Sequence, residues 1–203
     1  MKIGTRSVLF GAHQFLIHPW FVAAAWWKLY GFPFDPRLWV AFFVHDLGYF
    51  GKPNMDGPEG EDHVLWGAKV MCRLFGGHYE RLCLYHSRFY AKKHGAKPSR
   101  LCAADKLAVA LEPWWLYLPR VMLSGEIREY MAASRSSALG RDKLPGSKYS
   151  GEPQCTEASE IAGLGPYRAW HRVMTNYCRK WAYEHADGRV DSWTTGTVAE
   201  PSR

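Results

Sequence analysis

From Pro19 to Tyr30 the chain reads PWFVAAAWWKLY, with proline in the first turn and Gly31 just past the end, and this pattern predicts a helix. His18 then stands at its mouth. The next segment, DPRLWVAFFVHDLG, offers Asp35 as a cap and Pro36 as a first helical residue. Leu38, Val40, Ala41, Phe42, Phe43 and Val44 make that helix apolar nearly all round, so it is expected to be buried and to carry His45 and Asp46 inward at its C-terminal end. HVLWGAKVMCRLFG reads as a helix from His63, with Glu61 and Asp62 ahead of it and Gly76-Gly77 behind. YERLCLYHSRFYAKKHG reads as one helix ending at Gly95. SRLCAADKLAVALE reads as another, capped by Ser99 and stopped by Pro113, and PRVMLSGEIREYM as one more. No alternating stretch demands a strand, and no repeat recurs, so the expected class is all-α.

After Ala133 the composition turns to Ser, Gly and Pro, and residues 134–166 are expected to be an insert or linker following a core of residues 1–133. Residues 167–186 then form a C-terminal amphipathic helix. Its apolar stripe is Tyr167, Trp170, Met174, Tyr177 and Trp181, with Arg168, Arg172, Arg179 and Lys180 mostly off it. The bland reading is a helix that packs on the core and wets its basic face; the sharper one is a lid or a grip on nucleic acid. Residues 187–203 are expected to be a disordered tail.

Composition supports a real interior, since 203 residues at 47% hydrophobic and 15% aromatic suffice for one sizeable core. A net charge of +7 favours an anionic partner without choosing among nucleotide, nucleic acid and membrane. Cys72, Cys83, Cys102, Cys155 and Cys178 are odd in number and form no CxxC pair, which points to a reducing cytoplasm. The stretch SVLFGAHQFLIHPWFVAAAWW imitates an export signal, but two histidines, a glutamine and a proline interrupt it. Neither a cleaved leader nor a membrane partner is expected.

Candidate chemistry gathers around histidines and acids. His18, His45-Asp46, His63 and His86 lie on or beside helices, and Asp105 sits within the apolar CAADKLAVA. On its helix Asp105 shares a face with Leu101, Cys102, Ala108 and Val109, so it points inward, where an ionised carboxylate needs a cation or a good set of hydrogen bonds. Each residue also has an ordinary role open to it: a helix-end cap for His18 and His63, a core histidine for His86, an ion pair for Asp105. His78, His94, His171 and His185 are expected on the surface.

The order His18, His45-Asp46, Asp105 resembles the HD-domain superfamily of metal-dependent phosphohydrolases. HPWFV is similar to that family's opening histidine segment, DPRLWVAFFVHDLG to its DPxLxxxAxLLHDIG, and GEDHVLWGA to the HPxxGA of dinuclear members; the likeness spans about residues 15–112. It implies an HD-domain helical bundle in which His18, His45, Asp46 and Asp105 hold one divalent ion, with His13 a competing first ligand. His63 and His86 would hold a second ion bridged by Asp46, or serve as acid or base if only one is bound. The ion could be Mn, Fe, Co, Ni, Zn or Mg. Lys52, Arg88 and Lys92 become candidate phosphate contacts. The implied activity is hydrolysis of a small phosphorylated compound, with a nucleotide as the expected substrate. A phosphodiesterase on cyclic or oligomeric nucleotides, or a nonenzymatic nucleic-acid-binding module on the same scaffold, stand as alternatives. The chain departs from the family in lacking a GYP motif after His86 and in placing its lysine at Lys52.

Overall fold

A computed structural model describes residues 1–138 and 165–187, which are helical with no strand among them, as an all-α chain should be. The helices are α1 (Ile3–Phe10), α2 (His18–Tyr30), α3 (Pro36–Val44), α4 (Pro58–Glu61), α5 (Val64–Phe75) and α6 (Gly77–Leu84). They continue as α7 (Arg88–Lys93), α8 (Arg100–Leu111), α9 (Trp114–Ser124), α10 (Glu126–Ala138) and α11 (Gly165–His185). A single 3-10 turn, Leu47–Tyr49, follows α3.

Helix α8 is the hub. It packs on α2 on one side and α11 on the other, while α5 and α6 form a paired hairpin against α3. The main core joins Val22 and Trp26 of α2, Phe42 of α3, Met71 of α5, and Leu101 and Leu107 of α8. A second cluster joins Tyr117, Leu118 and Val121 of α9 to Ile127 of α10 and Trp170 of α11.

Local chemistry explains the boundaries. Asp35 caps α3, its carboxylate accepting the Arg37 N–H at 2.9 Å. Two segments read as single helices are broken. Between α6 and α7 the chain turns at Tyr85–Ser87, where the Ser87 hydroxyl accepts the Phe89 and Tyr90 N–H groups and starts a new helix. Between α9 and α10, Gly125 takes φ 87°, a left-handed position that only glycine occupies freely. Helix α9 also begins at Trp114, before Pro119 rather than at it, because Pro113 caps that turn through its carbonyl.

Helix α3 is less buried than its composition predicts. Only Ala41 and Phe42 are fully covered, and its other apolar side chains are half-buried or exposed. On α11 the buried face is Ala169, Trp170, His171, Thr175, Cys178, Trp181 and Ala182, turned from the expected stripe so that Tyr167 is exposed. His171, expected at the surface, is therefore buried, its ring 5.2 Å from that of Tyr117. Part of the expected insert is helical, since α10 runs to Ala138; residues 139–164 and the tail from 188, with Cys155, lie outside the described residues. Cys72, Cys83, Cys102 and Cys178 are free thiols. No helix among the described residues is long and apolar enough to cross a membrane.

Candidate metal centre

Helix termini bring the side chains together. His18 is the first residue of α2, in a turn held by Gln14, whose side-chain oxygen accepts the Ile17 N–H at 2.7 Å. His45 closes α3, and Asp46 follows with φ −100° and ψ −5°, which swings the chain into the 3-10 turn. His63 caps α5, and His86 sits in the turn between α6 and α7. Asp105 projects from the middle of α8.

Three of these imidazoles are anchored in one way. The Nδ1 of His45 donates to the Phe42 carbonyl (2.9 Å), that of His63 to the Gly60 carbonyl (2.7 Å), and that of His86 to the Cys83 carbonyl. A carbonyl only accepts, so each Nδ1 carries the proton and each Nε2 of the neutral ring presents a lone pair inward. Second-sphere anchoring of this kind fixes tautomer and orientation in metal sites.

The lone pairs converge on Asp46. Its Oδ2 lies 3.1 Å from His45 Nε2 and 3.5 Å from His18 Nε2, and His18 Nε2 lies 2.9 Å from Asp105 Oδ1. Its Oδ1 lies 3.3 Å from His86 Nε2 and 3.6 Å from His63 Nε2, which are themselves 3.1 Å apart. Two groups result, His18-His45-Asp46-Asp105 and Asp46-His63-His86, in each of which the donor atoms lie within 4.8 Å of one another. Asp46 belongs to both, one oxygen to each.

Donors so arranged could hold a cation among them. His45 Nε2 and Asp46 Oδ2 are buried with no hydrogen-bond partner, although they sit side by side. The facing Nε2 atoms of His63 and His86 would repel as two lone pairs. The protein alone can answer only with protons: burial pushes the His45 imidazole down, but the nearby carboxylates of Asp46 and Asp105 lift it to about 10. Burial would raise Asp46 and Asp105, yet the surrounding imidazoles hold both well below the ordinary carboxylate range. Four imidazoles and two carboxylates are a mixed nitrogen and oxygen set that suits a divalent transition ion, so these buried groups could hold a metal. Asp105, a quarter exposed, marks the open side.

His13 stands outside both groups. Its Nδ1 lies 2.8 Å from the Ser7 hydroxyl, and its ring meets those of His18 and Tyr49. Behind it lies a feature that no sequence pattern reveals. Glu126, wholly buried, accepts hydrogen bonds from Ser7 (2.8 Å), the Ala12 N–H (3.0 Å), Tyr130 (2.9 Å) and Ser124, with His13 at 3.7 Å. Ser7 and Glu126 are 119 residues apart, so no local spacing reveals the pair. Tyr49 stacks flat on the His63 ring at 3.9 Å and so forms a wall of the centre.

The expected phosphate contacts are dispersed. Arg88 is buried, its guanidinium 5.3 Å from the Trp181 ring and 3.4 Å from the Tyr177 hydroxyl. Lys106, next to Asp105, lies over the same two rings at 5.3 and 5.6 Å. Lys92 is half-buried in the last turn of α7. Lys52 lines an open groove of about 690 Å³ with Phe50, Trp66 and Lys69, a groove to which no residue of the two donor groups contributes.

No protein-family model matches this chain, and no curated protein and no solved structure matches it.

Proposed function

We propose that the protein is a metal-dependent phosphohydrolase of the HD type, acting on a small phosphorylated compound, with a nucleotide as the substrate class. The observation that carries this reading is the position of Asp46, whose two oxygens face separate sets of imidazoles in a buried centre. A carboxylate so placed is suited to share two ions. When bound, divalent ions would acidify a water molecule and neutralise charge on phosphate oxygens.

The chain's own residues supply the rest. The carbonyl bonds to the Nδ1 atoms of His45, His63 and His86 keep those rings from turning, so the donor set is preorganised before any ion arrives. The partial exposure of Asp105 leaves one side of the centre open to a substrate. Arg88 and Lys106, held beside Trp181, bring positive charge near two donor-bearing segments, where it would oppose the charge of a phosphoryl group. Imidazole-rich coordination favours Fe, Co, Ni or Zn, and the two carboxylates admit Mn, over Mg, which prefers all-oxygen surroundings.

The test is a screen of nucleotides for phosphate release by the purified protein, with each of these ions supplied in turn. Release from at least one nucleotide, abolished by a chelator and restored by metal, is the expected result. Metal binding with no hydrolysis of any phosphorylated compound would overturn the enzymatic reading.

A further inference from the structure

Between Gln14 and Val40 the chain has three charged residues, Lys28, Asp35 and Arg37. In the fold this segment is apolar on two sides. Helix α2 turns Val22, Ala25 and Trp26 into the core, yet Trp20 and Trp27 stand 58% and 61% exposed on its outer surface. Gly31, at φ 87°, ends α2 and leads into a short connector on which Phe34 is 86% exposed. The outer rings touch in sequence. Trp20 meets Trp39 at 5.7 Å and Phe43 at 5.9 Å, while Phe32 meets Trp27 at 5.6 Å, Phe34 at 4.8 Å and Trp39 at 6.5 Å. The result is one aromatic face with on the order of 500 Å² of exposed ring surface, as large as the biggest patches that soluble monomers leave uncovered.

We propose that this face docks on the surface of an anionic lipid bilayer. Indole and phenyl rings are the groups that settle at the headgroup level, where an apolar body and a polar edge are both accommodated. Phe34 protrudes from a connector, and a protruding ring enters a fluid interface without a matching pocket. Charge agrees with that partner. Asp35, the one acid of the segment, is engaged by Arg37 Nε at 2.8 Å and by the Tyr79 hydroxyl, so Lys28 sets the segment's net positive charge. The whole chain carries +7, which draws it toward an anionic surface. The interruptions that argue against a membrane span do not bear on a surface contact, which needs only one apolar side. His18 begins the same helix, so docking would orient the donor cluster relative to the bilayer, although the proposal stands apart from any reading of that cluster's chemistry.

The test is flotation of the full chain with vesicles of equimolar phosphatidylcholine and phosphatidylglycerol, alongside the double variant Trp27→Ser, Phe34→Ser. Wild-type protein is expected to float with the vesicles, and the variant, unchanged in helical signal, to partition at least about tenfold less, as loss of two seated rings implies. Quenching of wild-type tryptophan fluorescence by brominated acyl chains reads the same insertion without a substitution. The proposal is overturned if wild-type protein stays in solution, or if the variant floats equally well, which would assign binding to basic residues elsewhere. Concentration-dependent dimers that the double variant abolishes, with no vesicle binding, would make the face an interface between copies instead.

Discussion

Asp46 is buried between imidazoles on both of its oxygens, and its neighbours His45 and His86 point lone pairs at it because their other nitrogens are tied to backbone carbonyls. His45→Ala removes one donor from one group, so metal content should fall in part and activity by at least about a hundredfold, the scale of losing one preorganised electrostatic contact. Rank order matters here: Asp46→Ala must be more severe than His45→Ala, His63→Ala or His86→Ala by elemental analysis. Protons compete for the same lone pairs. Because His45 is lifted to about 10, an ion entering its group must displace that proton at neutral pH. Affinity should therefore strengthen as pH rises and weaken in acid, and titration of metal-free protein with Mn in buffers of different ionisation enthalpy should report proton release. Uptake with no proton released would show that His45 is not a ligand. Glu126 belongs to a different order of effect. Glu126→Ala would leave the Ser7, Ser124 and Tyr130 hydroxyls and the Ala12 N–H without their acceptor, at a cost of about 3–5 kcal/mol by denaturant unfolding.

Between elements, the closest approach in the centre is backbone on backbone. A Cβ at Gly48 would fall 1.8 Å from the His63 carbonyl oxygen, so the turn after Asp46 and the start of α5 meet where only glycine fits. Gly48→Ala should push His63 away from Asp46, reducing metal content while sparing the His18-His45-Asp105 side; unchanged metal content would show that the turn can yield. On α11, burial holds His171 at about 4, below its ordinary 6.5, with Nε2 unpartnered. The folded protein thus resists protonation there. The stability this provides is present above pH 6.5 and lost as pH falls toward 4, by about 1–3 kcal/mol. A His171→Gln variant, which does not titrate, should show a shallower loss of stability over that interval.

The same elements show what a linear reading could reach. His45, Asp46 and Asp105 stand out because polar groups in apolar helices need partners, and the structure gathers them with His18, His63 and His86. The breaks at Tyr85–Ser87 and Gly125 were hidden by side chains that keep helical periodicity across them. Glu126 was invisible because its partners come from the far end of the chain. Helix α3 departs from the expectation that an all-round apolar helix is covered, because it shares an aromatic face with α2.

For the molecule as a whole, α8 couples the centre to the C-terminal helix. Asp105 and Lys106 are adjacent on α8, and Lys106 and Arg88 both meet Trp181 of α11, so α11 packs on the helix that carries Asp105. Trp181→Ala should destabilise the fold by about 3–5 kcal/mol and free both cations from their ring contacts, raising the substrate KM more than it lowers metal content. Loss of metal before any change in KM would instead make α11 a purely structural clamp. Everything proposed for function rests on a cation at Asp46, and the most direct measurement is the metal stoichiometry of Mn-loaded wild-type protein against Asp46→Ala, by elemental analysis after gel filtration. The expected result is stoichiometric metal in the wild type and nearly none in the variant. Equal metal in the two proteins, or none in either, would contradict it.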